Sequence, residues 1–296
     1  MKKKAVVFGG GGFLGHYMIE CLLEEGYRVV SFGLQSHPTL NPQLSIVGDI
    51  LDAKLVSDAV RGASLVFNYA AISDIEECIE NPAMAVSVNI VGNINVLEAC
   101  VENNVERYVF ASSVYAESDL GGIYSSTKKA CESLIKDYHK YYGLDYSILR
   151  YGTVYGPGGG DNNSVYRFIK SALEEGEITY QGTGEERREY IHAADAAKLS
   201  LLALSEEYKN STVILTGHKS LKVKSLFSMI KEILNDDTVK TRFTCEKDKK
   251  LLKSHYKTTP YSYNRETPRK LVGVEYIDIG TGLLQCIKEQ DNERNK

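Results

Sequence analysis

Tyr124 and Lys128 stand four residues apart in Y-S-S-T-K, and residues at that spacing share one face of a helix. There a lysine ammonium can lie beside a phenol. A phenol ordinarily titrates near pH ~10, and a neighbouring positive charge favours its ionised form. A tyrosinate near neutral pH is a general base for a sugar or alcohol hydroxyl. Such a base works with a group that accepts a hydride, and the chain opens with the signature of one, V-V-F-G-G-G-G-F-L-G. Gly9, Gly12 and Gly15 follow G-x-x-G-x-x-G between an apolar run and a helical pattern. Glycine lets the backbone turn tightly and approach a pyrophosphate, while the helix N-terminus offers its N–H groups to the anion.

These residues need a scaffold, and the chain alternates strand and helix from its start. Residues 5–8 read as a buried strand, 14–25 as the helix after it and 28–32 as a second strand. Apolar runs recur at 44–47, 64–69, 107–111 and 146–151, with helical patterns at 53–61, 83–103 and 124–142. This alternation implies an α/β fold with a doubly wound parallel sheet. Past Gly156 the rhythm breaks into G-P-G-G-G-D-N-N, a helix over 164–175 and short elements. The expected division is a dinucleotide-binding unit over 1–155, rejoined by parts of 180–215, and a smaller irregular α/β substrate lobe over 156–296.

Composition bounds the function. The 296 residues are 43% hydrophobic and 25% charged with a net charge of −4, a soluble profile that gives no electrostatic case for nucleic acid. Lys2, Lys3 and Lys4 precede only four apolar residues, too few for a signal-peptide core or a membrane span. Six scattered cysteines, without a C-x-x-C pair or clustered histidines, suggest free thiols in a reducing cytoplasm and no metal.

The dinucleotide contacts continue along the chain. At the tip of the second strand, where an acidic residue would bind the adenosine ribose, stands Gly33. No arginine follows to meet a 2′-phosphate, so NAD is favoured; Ser36 and His37 leave NADP open. Asp49 is placed to accept from an adenine amino group, or to cap the next helix, for which Asp52 is the better candidate. Asn68-Tyr69-Ala70-Ala71 puts small residues at a strand tip, where a cofactor can lie close to the backbone.

The ordered motifs G-x-x-G-F-L-G, G-D-I, N-Y-A-A, N-I-V-G-N-I-N-V-L-E-A-C, F-A-S-S-V-Y, Y-S-S-T-K, R-Y-G-T-V-Y-G-P-G and R-E-Y-I-H-A-A-D span about residues 4–200. Together they resemble the extended short-chain dehydrogenase/reductases, in particular the NAD-dependent epimerase/dehydratase family acting on nucleotide sugars. The resemblance implies a Rossmann-type NAD(P)-binding unit, a C-terminal substrate lobe and a homodimer built on helices 83–103 and 124–142. It makes Tyr124 the catalytic base, Lys128 its partner and a nicotinamide-ribose ligand, and Ser113 the hydroxyl that shares the reacting oxygen, with Ser112 as the alternative. Motif positions Phe13, Leu14, Ile50 and Tyr151 join the glycines, Asp49, Asn68, Ala70 and Ala71 as cofactor contacts. Arg188 matches a clamp for the sugar-nucleotide diphosphate, a role suited to a planar fork of donors. The alternative for it is an ion pair with Glu185, Glu186 or Glu189. Thr153 and Asn163, with Asn162 beside it, fall at substrate positions.

Departures narrow the reaction. Only eleven positions separate Ser113 from Tyr124, a shorter connection than the family usually has, and Thr153 replaces its asparagine. Val114 and Tyr115 stand where sugar dehydratases of this kind carry an Asp-Glu pair, leaving Glu117 and Asp119 as the acids for a non-standard elimination. The expected activity is therefore epimerisation of a nucleotide sugar at C4 through a 4-keto intermediate. A 4-keto reductase or dehydrogenase is the alternative, followed by the dehydratase, and a dinucleotide-sensing binding protein is the non-enzymatic reading. His255–Lys257 and 261–265 are further pocket candidates.

Overall fold

The computed structural model describes residues 2–244, 256–259 and 268–294; Cys245, His255 and the 261–265 segment lie outside them. Apolar, β-branched and aromatic residues make β1 (Lys4–Phe8), β2 (Arg28–Gly33), β3 (Ser45–Val47), β4 (Leu65–Asn68), β5 (Arg107–Ser113) and β6 (Tyr146–Tyr151). Their near-continuous burial is what a parallel sheet covered on both faces requires. With Ser211–Leu215 and Arg269–Lys270 on its far side, the sheet is all parallel in the order Ser45–Val47, β2, β1, β4, β5, β6, Ser211–Leu215, Arg269–Lys270. The order reverses between β1 and β4, which opens a crevice at their C-terminal ends.

Alternate residues of each strand serve the two faces. Val6, Phe8, Phe110 and Ile148 pack against α2 (Ala53–Val60), α4 (Pro82–Glu102) and α5 (Gly122–Tyr142). Ala5, Val7, Val109 and Leu149 pack against α1 (Phe13–Glu24) and Ala193–Leu202. Helix α4 is long and apolar enough to cross a membrane, a feature the sequence reading passed over. Val96, Leu97, Ala99 and Cys100 on its inner face belong to the core under the sheet. A separate core, around Tyr155, Ile169, Phe227 and Leu283, holds the C-terminal elements together. The five cysteines among the described residues are buried and unpaired.

Two local features were not foreseen. A short helix α3 (Ile75–Glu80), capped by Asp74, follows the loop after β4. Within α4, Ser87–Val91 forms a π turn, a one-residue widening of the α-helix. It presents Asn89, whose Oδ1 accepts from Ile72 N (2.8 Å) and whose Nδ2 donates to Ile72 O (3.0 Å) and Thr127 Oγ1 (3.1 Å). The loop after β4 is thereby tied to the middle of α5.

The glycine turn joins β1 to α1 and is very tight. A Cβ on Gly15 would stand 2.1 Å from the Gly9 carbonyl oxygen, and Gly9, at φ +74°, faces the Tyr69–Ala70 peptide with 2.7 Å between a Cβ and Ala70 N. Neither neighbour is a side chain that can swing aside. Gly15→Ala is expected to cost about 1–3 kcal/mol of stability through overpacking, or more if the turn must unwind, seen as a lower denaturation midpoint.

Candidate active site

Strand β5 carries its two serines to its C-terminal end, where they part. Ser112 Oγ donates inward to Glu132 Oε1 (2.5 Å). Ser113 accepts from Tyr115 N (3.2 Å) and opens with Tyr124 onto one cavity, where it favours the ionised phenol. Helix α5 opens after Gly121, held at φ +88°, where a Cβ would stand 2.7 Å from the Tyr115 ring. Steps of four along α5 then place Tyr124, Lys128 and Glu132 toward the sheet.

Tyr124 and Lys128 meet differently from the expectation. Lys128 is buried, donates to the Ala111 carbonyl (2.8 Å) and holds Nζ 5.6 Å from the Tyr124 ring centroid and 4.8 Å from that of Phe110. Burial lowers its pKa to about 8. Burial also pushes the Tyr124 phenol up to about 12, opposed by the bond with Ser113. Desolvation thus opposes the ionised phenol, and the contact that favours ionisation is the one with Ser113.

Behind these residues lies a buried charge network. Arg150 on β6 grips Glu132 with two bonds (Nε to Oε1 2.9 Å, Nη2 to Oε2 2.7 Å) and pairs through Nη1 with Glu117, in the 3₁₀ turn Val114–Glu117 after β5. Glu117 is thus committed to an ion pair, and Asp119 is exposed beside Lys129. Neither is a free acid for eliminating water.

In front of Tyr124 and Ser113 is a cavity of about 700 Å³. Thr153 and Arg188 line it, as does Asn162. Arg188, 9% exposed, sits with its guanidinium 4.3 Å from the Tyr256 ring centroid and donates to its neighbour's carbonyl (3.0 Å). Of the carboxylates that might have paired with it, Glu185 is engaged with Lys222 and Lys224 and Glu189 with Lys270, while Glu186, also on the cavity wall, accepts from Thr183 N through Oε1 only. Among the described residues none is ion-paired with Arg188. Tyr115, Tyr180 and Tyr190 also line the cavity and were missed. Tyr190 was readable, because residues two apart on a strand share a face with Arg188. The α3 end of the cavity, Ser73–Glu76, had no such signal. Tyr256 was among the candidates, and it also touches Thr153 Oγ1 through its hydroxyl (3.4 Å).

On the other side of Tyr124 the glycine turn fits a dinucleotide. Gly12 precedes α1 with no side chain capping the helix, which leaves that end to an anion, and the three glycines leave no Cβ in its way. Phe13 and Leu14 form the first turn of α1, Leu14 resting on the core. Ala70 and Ala71 are half-buried at the tip of β4, Ala70 against Gly9. Other expected contacts also make hydrogen bonds or packing contacts within the protein. Asn68 is buried, with Nδ2 on Asn93 and Tyr108 and Oδ1 accepting from Ala70 N (3.1 Å). Asp49 is exposed and accepts from Leu51 N (2.9 Å), while Asp52 caps α2. Ile50 is core, packed against Gly92, its carbonyl taken by Asn95. Tyr151 turns its hydroxyl inward to Tyr69 (3.1 Å) and Ser200 (2.7 Å). Asn163 corrects the substrate set: its side chain caps helix Ser164–Glu175 through Val165 N and Tyr166 N and donates to Val154 O, leaving Asn162 at the cavity.

The model of the NAD dependent epimerase/dehydratase family matches residues 5–215. The chain belongs to this family. A protein of Methanocaldococcus jannaschii provisionally named a UDP-glucose 4-epimerase is 29% identical over 248 residues, 76% of this chain and 81% of its own. The UDP-glucuronate 4-epimerase of Thermodesulfobacterium geofontis is 38% identical over 154 residues, 48% of each chain. The fold is shared with the UDP-glucuronic acid 4-epimerase of Bacillus cereus solved with UDP-glucuronic acid and NAD, at TM-score 0.84, 21% identity and coverage of 98% and 99%. As a family member the chain is an enzyme, and its cofactor is NAD.

The buried ammonium has a thermodynamic signature. Lys128 binds its proton less tightly when folded, so between about pH 8 and its ordinary value near 10.5 the unfolded chain holds more protons. Stability then rises with pH across that window, by about 3 kcal/mol in all from this group, and below pH 8, where both states hold the proton, none of that gain remains. Denaturant titrations of wild type and Lys128→Met at pH 7, 9 and 10 should show the wild type gaining on the variant; parallel curves would exclude the buried cation.

Proposed function

We propose that the chain is a NAD-dependent nucleotide-sugar epimerase that inverts C4 of a UDP-linked hexose or hexuronate. The observation that carries this reading is one cavity onto which the Tyr124 phenol, Ser113 and Arg188 all open, Arg188 being ion-paired with no carboxylate among the described residues. Arg188 binds the diphosphate as a charge-assisted fork of donors. Thr153 and Asn162 contact the sugar. Tyr124, as the tyrosinate, takes the C4 hydroxyl proton and later returns it, and Ser113 hydrogen-bonds the same oxygen. Lys128 keeps a positive charge beside the phenol. NAD, when bound, takes the hydride from C4 and gives it back to the opposite face of the 4-keto sugar. The engagement of Glu117 with Arg150 favours this cycle over water elimination.

In this reading residues 1–155 with the strand Ser211–Leu215 form the cofactor unit, and most of 156–296 forms the substrate lobe. The enzyme works in the cytoplasm as a homodimer joined through α4 and α5. Met84 and Val91 on α4 are 54% and 46% exposed, which is costly for apolar residues unless covered. Sedimentation should give the mass of a dimer, and Met84→Glu with Val91→Glu should give a monomer; a monomeric wild type removes this part of the proposal.

Incubation with UDP-glucose, UDP-glucuronate and UDP-N-acetylglucosamine, followed by NMR, should reveal the C4 epimer of one of them without net NADH. Stoichiometric NADH would mean a dehydrogenase, and a 4-keto-6-deoxy product a dehydratase. Tyr124→Phe should lower kcat about 10²–10⁴-fold with nucleotide-sugar affinity nearly intact. An unchanged kcat would remove Tyr124 as the base.

A further inference from the structure

The tip of β2 lacks the acidic residue that reads an adenosine ribose, and behind that tip the structure holds a pair of histidines. His37, in the loop after β2, is 3% exposed, and its Nε2 lies 2.8 Å from Nδ1 of His16 on α1. The rings meet edge to edge, with centroids 4.7 Å apart and 19° between planes. His37 fixes the loop at two more points. Its N–H donates to Ser45 Oγ on β3 (2.8 Å), and its Nδ1 accepts from Thr39 N (3.4 Å). The loop so held lies on the glycine turn, where a Cβ on Gly11 would come within 2.7 Å of the Gln35 carbonyl oxygen.

Apart from His37, no acidic or basic side chain occurs in residues 34–43. The charged group facing the pair is Glu20, one turn along α1, 3.7 Å from His16 Nε2. Tyr17 meets the His16 ring edge-on at 5.8 Å, and the Thr39 hydroxyl lies 3.3 Å from His37 Nδ1. His37 is buried and bonded on both ring nitrogens, so it is not presented to a 2′-phosphate.

We propose that the His16–His37 pair is the positioning element of the adenosine end, holding the 34–37 loop against the glycine turn and thereby selecting NAD over NADP. This rests on the glycine turn being the dinucleotide site. In place of a side chain that grips the ribose, an imidazole–imidazole bond fixes the backbone that borders it. The 34–43 segment offers no lysine or arginine to a 2′-phosphate.

The bond also makes cofactor affinity depend on pH. Two ring nitrogens 2.8 Å apart hold one proton between them; when both rings are fully protonated, two N–H donors face each other and the pair parts. Burial, and then charge on His16, lower the pKa of His37, so the parting belongs to acid conditions and the closed pair to neutral pH.

Dissociation constants for NAD, NADP and UDP-glucose between pH 5.5 and 8 test this on wild type, His16→Ala and His37→Gln. His16 is partly exposed, so its removal spares the core, and glutamine at 37 keeps a neutral donor toward His16. At pH 7.5 His16→Ala should bind NAD about tenfold more weakly, the worth of one hydrogen bond, and discriminate less against NADP, with UDP-glucose affinity unchanged. Wild type should lose NAD affinity toward pH 5.5, and His37→Gln should hold it. Wild-type affinity and discrimination in His16→Ala, or an acid loss that persists in His37→Gln, would overturn the proposal. A wild type that binds UDP-glucose but neither dinucleotide would instead overturn the reading of the glycine turn beneath it.

Discussion

Everything at this site depends on how closely two strand ends approach. Gly9 at the end of β1 lies against the Tyr69–Ala70 peptide at the end of β4, and Gly15 lies against Gly9 itself. These are backbone-to-backbone contacts, with no room for a side chain between them. They bring the start of α1 to the crevice where the strand order reverses. Asn68 reinforces the contact from beneath, bonding Ala70 N while anchored to Asn93 and Tyr108 in the core. Asn68, expected among the cofactor contacts, shapes the strand tip from beneath.

The substrate side is organised by charge. Arg150 joins β6, α5 and the turn after β5 through two carboxylates, and Ser112 adds a hydrogen bond to one of them. Buried charges are costly unless paired and hydrogen-bonded, and breaking such a pair costs more than the pair contributes. The arrangement therefore acts as a constraint on geometry rather than a source of net stability. It fixes the strand end bearing Ser113 relative to the helix bearing Tyr124. It also bears on the short connection between them, since Glu117 pins the turn that carries Tyr115 into the cavity. Arg188 is the contrast. Resting on the face of Tyr256 with no anion among the described residues, it keeps its charge for a ligand.

Much of this was legible in the sequence, for reasons that differ by residue. The parallel sheet followed from buried apolar runs separated by helical patterns, and β6 and helix Ser164–Glu175 fall where those patterns end. Tyr124, Ser113 and Arg188 could be picked out because their motifs fix strand ends and helix faces. Their surroundings could not. Which way Ser112 and Ser113 part, or that Lys128 reaches for the Ala111 carbonyl, depends on packing between β5 and α5 that spacing along the chain does not encode. Asn163 illustrates the limit well, because a polar residue after a glycine loop suits a ligand and a helix cap equally. The aromatic wall from Tyr115 to Tyr256 joins segments far apart in sequence, so no local pattern announced it.

The π turn in α4 sets a phase. One extra residue between Ser87 and Val91 rotates everything before it by roughly 100° relative to a regular α-helix. Residues 82–86 and 92–102 consequently obey two helical wheels rather than one, and no single stripe drawn along α4 describes its outer surface. Deleting one residue there would restore a regular helix and turn Met84 to a different direction from the one it now occupies. In this chain, insertions and deletions in the middle of α4 are changes of orientation, and their effect would be felt a full helical segment away from where they occur.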